Sequence, residues 1–153
     1  MKKMKRTAVI EVIAALLILL FLYAAFSKLL EFRTFVAELD EHPLFRHRAV
    51  FVAVAIPLVE IFTAFCLFMP AIRIWGLWGS LVLMGIFTLY IGAMLAFDSH
   101  LPCSCGGVLQ QLTWKEHFIF NIGFTLLALG GVLLQRSTGK PGDVFGYRSH
   151  LVD

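Results

Sequence analysis

The stretch from Thr7 to Phe26, TAVIEVIAALLILLFLYAAF, decides the fold. Its only charged side chain is Glu11. It is long enough to cross a hydrocarbon core of ~30 Å as a helix rising ~1.5 Å per residue. Three further runs of this kind follow, at Ala49 to Met69, Ile74 to Phe97 and Glu116 to Gln135. None alternates apolar and polar residues as a barrel strand does. In lipid every backbone polar group must be satisfied within the segment, so these runs are predicted as helices.

The rest of the composition agrees. Of 153 residues, 59% are apolar or aromatic and only 15% are charged, and the mean hydropathy is +0.85. A soluble domain has about 25% charged residues. This excludes a disordered tail, a nucleic-acid module and an ordinary water-soluble enzyme. The sequence therefore predicts an all-α integral membrane four-helix bundle, with the lipid bilayer as its first partner and no nucleic acid. The net charge of +3 says little about partners, because in such a chain the placement of Lys and Arg matters more than their sum.

That placement predicts topology. With the N-terminus inside, the cytoplasmic side holds Lys2, Lys3, Lys5, Arg6, Arg73, Arg136, Lys140 and Arg148, eight of the 13 Lys and Arg. The other side holds Lys28, Arg33, Arg46, Arg48 and Lys115. Both termini are thus predicted inside a bacterial cytoplasmic membrane. Residues 1–6 form a basic N-terminus, 7–135 the four-span unit and 136–153 a polar cytoplasmic tail. The first span is read as an uncleaved anchor, since it is longer than a signal-peptide core and Tyr23–Ser27 is a poor cleavage site. Trp75 and Trp78 at one boundary and Trp114 at the other suit interfacial belts.

Between the first two spans, Leu29, Phe32, Val36 and Leu39 recur at helical spacing among Glu31, Arg33, Glu38 and Asp40. This predicts an amphipathic interfacial helix ended by His42-Pro43. Gly85, Gly92 and Ala96 share a helical face and predict a close helix contact.

The segment His100-Leu101-Pro102-Cys103-Ser104-Cys105-Gly106-Gly107 carries the chain's most distinctive chemistry. A Cys-x-Cys bridge closes a very small ring and fits disulfide geometry only in particular backbone conformations. Strained, exposed disulfides are the oxidising and labile ones. A bridge over one residue removes little loop entropy, so it is a poor staple. Three readings stand: thiol–disulfide exchange, a passive pair, or a zinc or copper(I) site built from His100, Cys103, Cys105 and His117. The third cysteine, Cys66, lies ~25 Å of helix inward from Ala49 and reads as a small core residue.

Two ionisable residues flank or enter the lipid. Glu60 lies midway along the second run, where a carboxylate must be protonated, paired or open to a cavity. It is read as a proton acceptor for thiol chemistry, as a ligand to a membrane quinone, or as a helix-packing group, with Tyr90 and Asn121 as candidate partners. Lys28 is placed just beyond the first span. It is read as a snorkelling side chain or as a cation that favours thiolate at Cys103 and Cys105.

These motifs together resemble the MauE family of membrane proteins, named for methylamine utilisation and related to the DoxX-like group. The resemblance rests on Ser27-Lys28-Leu29-Leu30 with Phe35, on Pro57-Leu58-Val59-Glu60, on Pro102-Cys103-Ser104-Cys105-Gly106-Gly107, and on Trp114, His117 and Asn121. It covers roughly residues 7 to 135. It implies a four-helix membrane bundle working beside a periplasmic thioredoxin-like protein, or on an exported thiol protein, in forming or arranging disulfides. Gly106-Gly107 stands where some family members carry an aromatic residue, so a specific methylamine-pathway role is not carried over. A non-catalytic assembly or transport component remains the alternative.

Overall fold

A computed structural model describes residues 2–41, 47–97 and 114–137. The expected helix stop at His42-Pro43, the segment holding His100, Cys103 and Cys105, and the tail from Thr138 lie outside the described residues. The described residues form only helices joined by turns: α1 (Lys2–Leu30), α2 (Phe32–Glu41), α3 (Ala49–Phe68), α4 (Arg73–Phe97) and α5 (Trp114–Ser137). Four of these contain windows long and apolar enough to cross a membrane, at Arg6–Leu30, Ala49–Phe68, Arg73–Ala93 and Lys115–Ser137. The chain is a multi-pass membrane bundle. The first span runs further than its most apolar stretch suggested and takes in Lys28.

The four long helices close a ring in which α1 packs on α3 and α5, and α4 packs on the same two. Neighbours run antiparallel. Near the basic end, where α1 begins, a side chain added at Gly131 of α5 would meet both Ile13 of α1 and Leu77 of α4. Toward the opposite end, Gly92 of α4 meets the ring of Phe118 of α5.

The helix faces follow from spacing. Ile10, Ile13, Ala14, Leu17, Phe21 and Ala25 are all buried, and their separations of three and four residues put them on one side of α1. Ile13 to Phe21 join Ala64, Leu67, Leu77, Met84, Ala128 and Val132 in one apolar core. The outward faces are equally apolar, with Phe51, Phe62 and Phe68 exposed. Between helices in lipid no hydrophobic contrast exists, so close fit selects the interior.

Gly76 shows that fit most clearly. A Cβ there would lie 2.6 Å from the Leu67 backbone nitrogen and 2.8 Å from the Cys66 carbonyl carbon. Backbone touches backbone just beyond the tight turn that joins α3 to α4. In that turn the Ile72 amide donates to the Met69 carbonyl at 3.2 Å. Arg73 Nε donates to the Leu67 carbonyl at 3.2 Å, satisfying one of the carbonyls that a helix end leaves open. Cys66 is a free, buried cysteine, as its reading as a core residue requires.

Two expectations need correction. Gly85 faces open space, with nothing within 4 Å of an added Cβ, and Ala96 is exposed. Gly92 does make the expected contact, an added Cβ there lying 3.1 Å from the Phe118 ring of α5, and the contacts at the other end of the bundle are made by Gly76 and Gly131. The amphipathic helix starts later than expected. Leu29 belongs to α1 and is exposed, and Phe32, Phe35, Val36 and Leu39 form the apolar stripe of α2. That stripe packs on Ala49, Val52 and Ala53 of α3, so α2 folds back onto the bundle.

Candidate functional site

In an antiparallel pair of helices, long side chains on facing positions lean toward each other, because every Cα–Cβ bond tilts toward its own helix N-terminus. Lys28 near the end of α1 therefore reaches back into the bundle. Glu60 of α3 reaches up toward it. Their atoms meet, with Lys28 Nζ donating to Glu60 Oε1 at 2.8 Å. Lys28 is 8% exposed and Glu60 is 0% exposed.

The rest of the shell is uneven. Lys28 Nζ also donates to the Ala24 carbonyl at 3.3 Å and lies 5.7 Å from the centroid of the Phe87 ring on α4, within the range of a cation–π contact. Glu60 Oε2 is buried and accepts no hydrogen bond among the described residues. One carboxylate oxygen is thus tied to an ammonium group, and the other is an open acceptor in the protein interior. An unpaired buried acceptor is costly, so this oxygen is the most chemically unfinished atom of the bundle.

His117 and Asn121 of α5 are buried. Asn121 Nδ2 donates to the His117 carbonyl one turn earlier at 3.0 Å. Thr63, one turn beyond Glu60, donates to the Val59 carbonyl at 2.8 Å. Asn121 and Thr63 thus each spend a donor on a carbonyl of their own helix.

The structure thus gives Glu60 a partner where the sequence reading had looked to Tyr90 and Asn121. It also moves Lys28 from a snorkelling position at the surface into the bundle. The pairing joins residues 32 apart in sequence, so no local motif announces it. The available signal was physical: one cation and one carboxylate, both within apolar helices, have strong reason to find each other. Cys103, Cys105 and His100 lie outside the described residues, so their relation to this pair is not part of the geometry. Among the described residues no group of three or more His, Cys, Asp and Glu forms a metal-ligand cluster.

Chemically, a lysine–carboxylate pair with one free oxygen can hold charge, exchange a proton along the N–H···O contact and accept one further hydrogen bond. No curated protein and no solved structure gives a significant match to the chain. The family model described as methylamine utilisation protein MauE matches residues 6–134. Nearly the whole bundle, including both members of the buried ion pair, falls within that match, and the chain belongs to the MauE family.

Proposed function

We propose that this MauE-family protein carries out thiol–disulfide exchange through Cys103 and Cys105, on the periplasmic side of the bacterial cytoplasmic membrane, with both termini in the cytoplasm. Its partner is a thioredoxin-like protein or an exported thiol protein. The thiolate of one cysteine attacks a disulfide sulfur of the partner. A mixed disulfide forms and the partner's other sulfur leaves as thiolate. The second cysteine then attacks its neighbour's sulfur, releasing the partner as a dithiol and leaving the Cys103–Cys105 disulfide. Two electrons pass to the partner, and the reverse sequence oxidises it.

The observation that carries this reading is the buried Lys28–Glu60 pair with its open carboxylate oxygen. Chain connectivity joins the Cys-bearing segment to the end of α4 and the start of α5, and Lys28 lies at that same end of the ring. A fixed cation favours thiolate nearby, and a carboxylate can take the proton a thiol gives up. When the reverse sequence oxidises the partner and leaves Cys103 and Cys105 as a dithiol, regenerating their disulfide calls for a two-electron acceptor, for which a quinone, reduced to its quinol, is the chemical class. Lys28 as donor and Glu60 Oε2 as acceptor would serve its carbonyl and hydroxyl forms.

The test is a thiol-reactive mass tag applied from outside to intact cells, with and without reductant. The expected result is labelling of Cys103 and Cys105 only after reduction. Cys105→Ser should accumulate a mixed disulfide through Cys103. If neither cysteine changes state or accessibility, the exchange reading fails. A non-catalytic assembly role is favoured instead if the doubly substituted Cys103→Ser, Cys105→Ser protein keeps full function. A stoichiometric metal in the purified protein would favour the zinc or copper reading.

A further inference from the structure

We infer that the α4–α5 seam at the basic end of the bundle is a binding site for one anionic phospholipid. The seam is headed by an Arg–Trp pair. The Arg136 guanidinium carbon lies 4.9 Å from the centroid of the Trp78 ring, and both residues are exposed. Stacking on the indole restrains the guanidinium and leaves its in-plane N–H donors open to a partner. An arginine fork matches the oxygens of a phosphodiester.

Below this head the two helices present apolar stripes that no part of the described chain covers. On α4, Val82 and Ile86 follow Trp78 at four-residue intervals. On α5, Leu133 and Leu129 precede Arg136 by three and seven residues. All four are exposed. The spacing aligns each stripe with its head residue. The stripes continue to exposed Leu89 and Leu126, about 15 Å below the head at 1.5 Å per residue. That is half of a ~30 Å hydrocarbon core, the length of one leaflet's acyl chains. A cationic head above a leaflet-deep apolar face is complementary to an anionic amphiphile, whose acyl chains use a surface that a soluble anion would leave bare.

The surrounding charge has the same sign. Helix α1 starts at this end with Lys2, Lys3, Lys5 and Arg6, and Arg73 opens α4 beside it, against Glu11 alone among the described residues. Basic clusters beside a span attract anionic headgroups, each Lys or Arg near the surface contributing about a fivefold gain. The inference is independent of the thiol chemistry.

The test uses the full chain with Trp75→Phe and Trp114→Phe, leaving Trp78 as the only indole. The protein is placed in nanodiscs containing phosphatidylglycerol or phosphatidylcholine with brominated acyl chains, at equal mole fraction. Stronger quenching of Trp78 by the brominated phosphatidylglycerol is expected, with a preference that Arg136→Gln lowers about fivefold. Equal quenching by the two lipids overturns the site. So does a preference that Arg136→Gln leaves undiminished, which would mean only diffuse attraction to the basic N-terminus. Circular dichroism checks that the variants keep their helices. Native mass spectrometry of the unsubstituted protein supplies an independent readout. It should retain phosphatidylglycerol in preference to phosphatidylcholine, and no such retention counts against the site.

Discussion

The two halves of the bundle are built on different principles. Around Leu17, Leu67, Leu77 and Val132 the interior carries no charge and its buried hydroxyls, Ser80 and Thr63, bond to carbonyls of their own helices, and glycine lets α3 and α4 touch backbone to backbone at Gly76. Around Lys28, Glu60, His117 and Asn121 the interior is polar and buried. Packing alone explains the first half. It does not explain the second, since apolar residues of similar volume would replace a buried ion pair at no loss, and often at a gain, of stability. The polar half is therefore where function is sought.

The sharpest way to break this contrast is to remove one charge. Lys28→Met should destabilise the bundle by about 3–5 kcal/mol, because it strands a buried carboxylate. Glu60→Met should do the same to the ammonium. The double variant Lys28→Met, Glu60→Met should recover most or all of that loss, and it should still fail in the thiol-exchange assay if the pair serves the chemistry. Reversible unfolding in mixed micelles gives the stability, and mass-tag labelling gives the exchange. Recovery of both stability and exchange would make the polar half a structural device.

The apolar half has its own test, in three glycines that differ only in surroundings. At Gly76 an added Cβ meets backbone atoms that cannot move away, so Gly76→Ala should cost about 1–3 kcal/mol. At Gly131 the nearest atom is the end of the Leu77 side chain, 2.8 Å away, which can shift, so Gly131→Ala should cost less. At Gly85 the space is open, and alanine is the better helix former by up to about 1 kcal/mol, so Gly85→Ala should be neutral or stabilising. The same unfolding measurement ranks all three, and an equal cost at Gly76 and Gly85 would contradict the packing described here.

The legibility of the sequence divides along the same line. The four spans could be read from apolar length alone, because the bilayer fixes how many residues a helix needs. The interfacial helix was legible from its period, though its start was misplaced at Leu29, since the α1 apolar run and the α2 stripe merge without a break in hydropathy. The choice of tight glycine was not legible. Gly76, Gly85 and Gly92 all sit on α4, and only the position of the neighbouring helix decides which one is crowded. Lys28 and Glu60 were each legible as notable residues, but their pairing depends on the relative height of two helices, which hydropathy does not encode. The Cys-x-Cys motif is the reverse case: it is legible in the sequence and lies outside the described residues.

The smallest expected effect concerns α2, the helix that lies outside the spans among the described residues. On α2, burial and the neighbouring charges of Glu31 and Glu41 raise Glu38 above its ordinary carboxyl value of 4.5. A carboxyl raised in the folded state contributes stability that is fully present below its unfolded value and is lost as pH rises through the folded value. Docking of α2 onto Ala49, Val52 and Ala53 should accordingly be weakest at neutral pH and strengthen on acidification. The effect of Glu38 is isolated by comparing Glu38→Gln with the unsubstituted protein. At neutral pH the Gln variant should show slower amide hydrogen exchange over Phe32–Glu41. The difference should shrink as pH falls toward 4.5 and disappear below it. A difference that persists unchanged into acid would mean that Glu38 acts through packing or helix propensity, and that the charge on α2 plays no part in holding it to the bundle.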